Sequence, residues 1–443
     1  MKTRGMKWVI LMPALMAGWA SAQTVPPPYE VAAWPGFRSA AISYTFDDNC
    51  PNQLAIAVPM FNEYKFALTL FTVINWGPNW SGLQAAAAQG HEIASHTMSH
   101  PALDTLTDAQ QIAELKNSQD AVNTHIPGRQ CRTLAYPMCV EGNPAIIGQY
   151  YVAARGCSGV VEGKTPANFL NISSIVCGAL GSIKTGAQFM TAANNAARIN
   201  GWCVYLIHGI DNDGGYSPLP SDTLRVSLDY LAAHRDEFWV TSFGAAVRYI
   251  RERNAATLSE LVSSPDSLAI VLSDTLNDSL YHDSLTIRRP LPQGWSSCNV
   301  SQGGIPISSQ IVDIDSTKYV VFDIVPNSGK AWLTKTGATP VRGRTPTGGS
   351  SSFGLLQNYP NPFNPTTTVS YEITFAGRVR LRVFNLLGQS VGTLAEGIRQ
   401  PGTYRAIFDG TGLPSSIYFC EMQFRDEDGT PLATEIRKMI LMK

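Results

Sequence analysis

An α/β unit built on a parallel sheet or barrel, followed by two all-β units, is the fold this sequence predicts. Three observations carry it. From about Ala41 to Arg253, near-continuous apolar runs alternate with helix-like stretches. After Arg253 the runs become short and β-like, with turn residues between them. A Gly/Ser/Thr/Pro-rich stretch at 337–352 then reads as a flexible linker dividing the β-rich part in two.

The first region contains the runs Ala41–Phe46, Phe66–Ile74, Cys203–Ile207 and Phe238–Thr241, whose apolar character suits strands covered on both faces. Thr107, with Gln110 three residues on, has the spacing of a capping box. Ile112, Leu115, Val122 and Ile126 then keep roughly to one helical face. Alternating βα units imply a parallel sheet or a barrel, and polar residues at the C-terminal strand ends are the first place to look for chemistry. In 264–336 the runs Leu268–Leu272, Leu285–Arg288 and Tyr319–Val325 are separated by Pro292-Gln293-Gly294 and Gln302-Gly303-Gly304, which predicts a small β-sandwich. The last region, 353–443, also reads as β throughout.

The chain has 443 residues, room for two to four domains of roughly 100–200 residues each. A formal net charge of −1 excludes nucleic acid or an anionic membrane as a partner held by bulk charge. Lys2, Arg4 and Lys7, the apolar run Trp8 to Ala20 and the small residues Ala20-Ser21-Ala22 predict a signal peptide over 1–22. The apolar run is shorter than the roughly 20 residues a spanning helix needs. No later stretch is long and apolar enough to span a bilayer, so a soluble, exported mature protein is expected, secreted or held at the cell surface after passing through the periplasm. Export makes disulfides an expectation for the eight cysteines. Six (Cys50, Cys131, Cys139, Cys157, Cys177 and Cys203) fall in the first half, and none forms a CxxC pair suited to thiolate zinc. Cys50 and Cys139 each flank a motif described below and are expected near each other in space.

Three constellations carry chemistry. In Ser43-Tyr44-Thr45-Phe46-Asp47-Asp48, two adjacent carboxylates end an apolar strand. On an extended chain they point to opposite sides, leaving one for a metal and one for proton transfer. In Gly90-His91-Glu92-Ile93-Ala94-Ser95-His96-Thr97-Met98-Ser99-His100, His96 and His100 are four apart, so a helical turn would aim both imidazoles at one ion. The spacing rules out an HExxH zinc site, and Glu92 is expected to pack or hydrogen-bond behind the strand. In Val204-Tyr205-Leu206-Ile207-His208-Gly209-Ile210-Asp211, His208 follows a buried strand, where it is a candidate proton donor.

Together these segments resemble the NodB-type polysaccharide deacetylases, carbohydrate esterase family four, over about Ala41 to Arg253. The resemblance implies a distorted (β/α) barrel over 23–254. It also implies a divalent ion, zinc first with cobalt or nickel as substitutes, on Asp48, His96 and His100. Asp47 would then be the general base and His208 the general acid. The family's Arg-x-Pro-Tyr segment corresponds to Arg132 through Cys139, where Pro137 aligns. That makes the Met138 N–H the candidate oxyanion donor and puts Tyr136 and Pro137 at the substrate, while Arg132 lies too far upstream to be the family arginine. The Asp-x-x-Asp-Trp segment is absent. Near its place stands Ala153-Ala154-Arg155-Gly156, so Arg155 is a candidate for contacting substrate, orienting Asp47 or forming a structural ion pair. The implied substrate is an acetylated polysaccharide, with acetylxylan favoured over N-acetylglucosamine polymers such as chitin or peptidoglycan. A surface carbohydrate-binding protein with an inactive barrel is the alternative of another class, although all five core residues are present.

The segment from Leu355 to Pro365, with Val383–Gly388, Gly402–Tyr404, Ile417–Phe419 and Lys438–Leu441, resembles the type A sorting domain of the type IX secretion system. That resemblance implies the secretion machinery as a second partner. The middle unit is read as a spacer, with Trp295 and Trp332 the residues a glycan-binding role would use.

Overall fold

The computed structural model describes residues 28–336, 353–373, 377–386, 388–400, 402–425 and 431–442. The expected signal peptide and the linker lie outside these. The chain divides into two compact units, Met1–Leu258 with Ser273–Thr286, and Ser259–Leu272 with Ile287–Lys443. The stretch read as one unit from 264 to 336 is thus split, because Ser273–Thr286 packs with the N-terminal unit.

That unit opens with a two-residue strand, β1 (Glu30–Val31). The barrel strands follow: β2 (Ala40–Asp47), β3 (Thr69–Thr72), β4 (Glu92–Ser95), β5 (Thr133–Ala135), β6 (Ala153–Arg155), β7 (Ile175–Val176), β8 (Trp202–Ile207) and β9 (Phe238–Val240). Their order is β6-β5-β4-β3-β2-β8-β7, every pairing parallel, with β9 pairing the first three residues of β2. Helices α1 (Val58–Tyr64), α2 (Trp80–Ala88), α3 (Asp108–His125), α4 (Pro144–Tyr150), α5 (Gly186–Arg198), α6 (Ser221–Ala233) and α7 (Phe243–Ala255) fill most of the connections. The fold is the expected distorted (β/α) barrel. Both faces of β2 and β8 are buried, as the mainly apolar β2 and the unbroken apolar run of β8 require. Tyr44, Phe46, Phe61, Leu70, Leu134, Tyr205 and Ile207 belong to one continuous core.

Thr107 and Gln110 form the predicted capping box at the start of α3. The buried face of that helix is set by Gln111, Leu115, Ser118, Gln119 and Val122, so Ile112 is turned to solvent, contrary to the expected stripe. Between β6 and β7 the ladder is incomplete. The segment from Phe169 to Ile172 lies along β6 through two backbone bonds to Ala154 and a bridge between Arg155 and Ile172.

Next along the chain, mostly in the C-terminal unit, come β10 (Thr257–Ser263), β11 (Ser267–Ser273), β12 (Leu285–Pro290), β13 (Cys298–Gln302), β14 (Ile305–Ile307), β15 (Ser309–Ile314), β16 (Thr317–Ile324) and β17 (Lys330–Lys335). One sheet runs β10-β11-β17-β13-β14, and β15 pairs antiparallel with β16. Trp295 is buried with its indole N–H donated to Pro265, and Trp332 is half-buried.

After the linker come β18 (Phe353–Leu355), β19 (Thr366–Ile373), β20 (Gly377–Phe384), β21 (Ser390–Arg399), β22 (Gly402–Asp409), β23 (Ser416–Arg425) and β24 (Pro431–Leu441). They form sheets β18-β19-β22 and β21-β20-β23-β24 around a shared core that includes Tyr371, Leu381, Tyr418 and Met439. The Asn-Pro-rich opening is bonded to the closing strand. Asn361 donates to the Lys438 carbonyl and accepts the Ile440 N–H, and the Phe363 N–H reaches the Ile440 carbonyl.

Candidate metal centre and active site

All the candidate groups sit at the C-terminal ends of parallel strands. Asp47 is the last residue of β2 and is 2% exposed. Asp48 follows with φ 72° and Asn49 with φ 53°, a left-handed turn that Asp and Asn tolerate better than most residues. The Asn49 carboxamide donates to the Val73 carbonyl at 2.7 Å and accepts the Val73 N–H at 3.2 Å, tying this turn to the end of β3. A turn, not strand alternation, thus sets the two side chains, and both carboxylates stay close to His96 Nε2, Asp47 Oδ2 at 3.6 Å and Asp48 Oδ1 at 3.5 Å.

No helix aligns the two histidines. His96 follows β4 directly, and the segment to His100 is an irregular loop with Thr97 at φ 69° and His100 at φ 63°. Glu114 of α3 holds it by accepting the N–H groups of Met98 and Ser99 and the Ser99 hydroxyl. The His96 Nδ1 bonds to the Ala135 carbonyl at 2.9 Å, which fixes the proton there and leaves Nε2 as the lone pair. That Nε2 lies 3.5 Å from Asp48 Oδ1, and His100 Nε2 lies 3.4 Å from the same oxygen.

These three residues fit a divalent cation. Their ligand atoms lie within 4.8 Å of one another. Asp48 Oδ1 is buried without a hydrogen-bond partner, a costly state for a carboxylate unless a cation serves it. Burial pushes the Asp48 carboxyl up, but His96, His208 and His100 together outweigh it and hold the group below its ordinary value. Burial, then the charge of His96, pulls His100 down, so it stays a neutral ligand.

Asp47 is held differently. Arg155, the last residue of β6 and 1% exposed, places its Nη2 2.5 Å from Asp47 Oδ2 and stacks over the Phe71 ring. Its burial turns Arg155 away from substrate, and the pair suits both an orienting role and a structural ion pair. Arg132 bonds only to Gln130 among the contacts of its guanidinium. The other Asp47 oxygen is buried and has no hydrogen-bond partner among the described residues.

His208 follows β8, with Nε2 3.8 Å from Asp48 Oδ2 and a buried, unpartnered Nδ1. Burial lowers its pKa against the pull of Asp47 and Asp48, which favours the neutral imidazole. Met138 stands at φ 54° in the turn Pro137–Cys139, and its side chain is 58% exposed. Pro137 is buried, and the Tyr136 hydroxyl is spent on the Leu170 carbonyl, so Tyr136 braces the loop and offers substrate no hydroxyl. Cys139 pairs with Cys157, joining the loops after β5 and β6. Cys50 is a free, buried thiol, so the expected Cys50–Cys139 proximity gives no bond between them. Burial first, then Asp213, Asp48 and Asp47, pushes Cys50 up to about 12, far from a working nucleophile.

Glu92 lies behind the sheet, as its position predicted, accepting from the Thr69 and Thr133 hydroxyls and the Gly244 N–H. His91 is structural: its Nδ1 accepts the Leu68 N–H, and burial lowers its pKa to about 4. Two aromatics beside the site escaped sequence reasoning. Trp76 has its ring centroid 4.9 Å from that of His100, and Tyr216 has its centroid 5.0 Å from that of His208. Neither belongs to a motif; only their place after a strand end could have pointed to them.

Residues 36–145 match the family model described as polysaccharide deacetylase. That segment contains both the aspartate pair and the histidine pair. A curated relative, gellan lyase from Bacillus sp, is 28% identical over 339 residues, covering 70% of this chain. The aligned stretch is longer than the whole N-terminal unit, so the likeness extends into the β-rich part. The chain spans 13% of that relative's length. Among solved structures, a protein provisionally called a polysaccharide deacetylase, from Mycobacterium smegmatis, aligns over 55% of this chain and 98% of its own, at 17% identity and TM-score 0.40. A family 4 acetyl xylan esterase from Clostridium thermocellum, in complex with a cobalt ion, aligns over 46% and 89%, at 19% identity and TM-score 0.32. The Xyl-CE4 domain of a multidomain xylanase from the hindgut metagenome of Trinervitermes trinervoides aligns over 46% and 88%, at 16% identity and TM-score 0.35.

Proposed function

We propose that this protein is an exported, divalent-metal-dependent deacetylase that hydrolyses acetyl groups from a polysaccharide, with O-acetylated xylan as the leading substrate. The convergence of Asp48, His96 and His100, with the Asp47–Arg155 pair on one side and His208 on the other, carries this reading. Asp48, His96 and His100 would hold the ion, which when bound supplies Lewis acidity toward an acyl carbonyl and acidity to a water. Asp47, its charge held by Arg155, takes the proton of the attacking water on its free oxygen. His208 gives a proton to the departing alcohol or amine. The Met138 N–H stands as the donor to the developing oxyanion. The C-terminal sandwich serves as a sorting domain read by the type IX secretion machinery, and residues 1–22 as a signal peptide.

The deciding experiment is acetate release from acetylxylan and from acetylated chitooligosaccharide, with and without chelator. Release from acetylxylan that stops on chelation and returns with zinc or cobalt is expected. Release only from chitooligosaccharide would make the enzyme an N-deacetylase. No release from either would return the barrel to a carbohydrate-binding role.

A further inference from the structure

Gln53 is a buried carboxamide, 3% exposed, that the proposed chemistry does not use. It opens a π-helical turn, Gln53–Ala57, in the connection from β2 to α1, and such turns are rare and recur at functional sites. Its Nε2 carries two hydrogens and spends both. One bond goes to the Asp47 carbonyl and the other, at 3.0 Å, to the His208 carbonyl.

That bridge falls where the sheet stops. The register of β2 on β8 ends with Phe46 opposite Ile207, so Asp47 and His208 are the next residues of the two strands, one step past the last pair. Asn52 adds a second tie, its Nδ2 donating to the Ile210 carbonyl at 2.9 Å. Gly215, in the loop after His208, packs so tightly on Cys50 that a Cβ there would lie 2.5 Å from the Sγ. Residues 50–53 are thus fitted to the His208 loop by two carboxamides and a close packing contact.

His208 has need of such a tie. The Ala135 carbonyl fixes His96 through its Nδ1, whereas the His208 Nδ1 has no hydrogen-bond partner among the described residues. The Tyr216 ring stands beside the His208 imidazole at 78° to it. With no bond at Nδ1 to steer the ring, the backbone position of His208 sets where its proton can go. Proton transfer is steep in that position: a displacement of about 1 Å can cost on the order of 10²-fold in rate.

We propose that Gln53 is a positioning residue, one side chain that holds the base Asp47 and the acid His208 at a fixed separation through their backbone carbonyls, with Asn52 as its second tie. This role rests on the deacetylase reading, and acetate release by the wild type separates the two.

The test is turnover of acetylated xylo-oligosaccharide and of N-acetylated chitooligosaccharide by the zinc-loaded wild type, Gln53→Met, Asn52→Ala and Leu228→Ala, with metal content and Tm for each. Methionine keeps the shape and removes both donors. Gln53→Met should keep its zinc and its KM while kcat falls roughly 10- to 100-fold, the N-acetyl substrate suffering more than the O-acetyl ester. Asn52→Ala should lower kcat in the same pattern by less. Leu228→Ala, a core truncation in α6, should lower Tm at least as far and leave kcat and the substrate ratio unchanged. In a His208→Ala background, Gln53→Met should cost only a further factor of about two or three, because residues that act through one another do not add. Unchanged kcat in Gln53→Met, or the same fold-loss with and without His208, overturns the positioning role and leaves the deacetylase reading in place. Should Gln53→Met not fold, Asn52→Ala carries the same cycle with the same overturning results. No acetate from the wild type sinks both.

Discussion

Arg155 and Asp47, 108 positions apart in the chain, meet through a 2.5 Å contact in which both side chains are almost wholly buried. A buried carboxylate that has lost its cation is strongly destabilising, by about 3–5 kcal/mol. Arg155→Ala should therefore lower Tm and kcat together while KM moves little. Arg155→Lys should restore part of both. A fall in KM affinity with normal kcat would instead make Arg155 a substrate contact.

His96→Ala should abolish both metal and activity, because His96 supplies the lone pair fixed by the Ala135 carbonyl. Metal content by mass spectrometry on the purified variant decides it: a full complement of zinc would mean that the site is misassigned.

Asp47→Asn keeps size and removes basicity, so metal should stay bound while the rate falls on the order of 10²–10⁴-fold. Asp48→Asn should lose the metal. His208→Ala should spare the metal and slow N-acetyl substrates more than O-acetyl esters, because an amine leaves poorly unless protonated. Reversed metal contents in the two aspartate variants would exchange their roles.

Glu252 is fully buried and accepts the Asp283 N–H. Burial, then the charge of Asp283, raises its pKa to about 8. A raised carboxyl pKa means that the folded state holds the extra proton. Its stabilisation is complete below the unfolded value near about 4.3 and is lost as pH climbs through about 8. Tm measured from about pH 5 to about pH 9 should fall more steeply in the wild type than in Glu252→Gln; parallel curves would contradict this.

Deleting residues 353–443 should leave hydrolysis intact and stop delivery to the cell surface in a host with the matching secretion system. Surface display of the truncated chain would end the sorting-domain reading.

What could be read in advance was the part written in local patterns. The two-sided burial of β2 and β8 appears as nearly continuous apolar runs, and the start of α3 as a Thr107–Gln110 box. The aspartate pair and the histidine pair were legible as polar residues at strand ends, and the family resemblance picked out Asp48 with His96 and His100 as the ligand set. The geometry that joins them was not. A left-handed turn at Asp48 and a loop held by Glu114 do what strand alternation and a helical turn were expected to do. Ile112 misled because polar Gln111, Ser118 and Gln119 fill the buried face of α3. Trp76 and Tyr216 acquire meaning only from what lies beside them in space.

The incomplete ladder between β6 and β7 has a consequence for how the protein responds to heat. One bridge and a few amide bonds fasten the Phe169–Ile172 segment to β6, while β2 and β8 share a register of six residue pairs. Local opening favours the edge with fewest bonds to break. That seam carries Arg155. A barrel that gapes there releases the clamp on Asp47 before the centre of the sheet yields, so inactivation precedes melting. Amides of 153–156 should exchange with solvent sooner than those of β8, and the enzyme should fall silent while it is still folded.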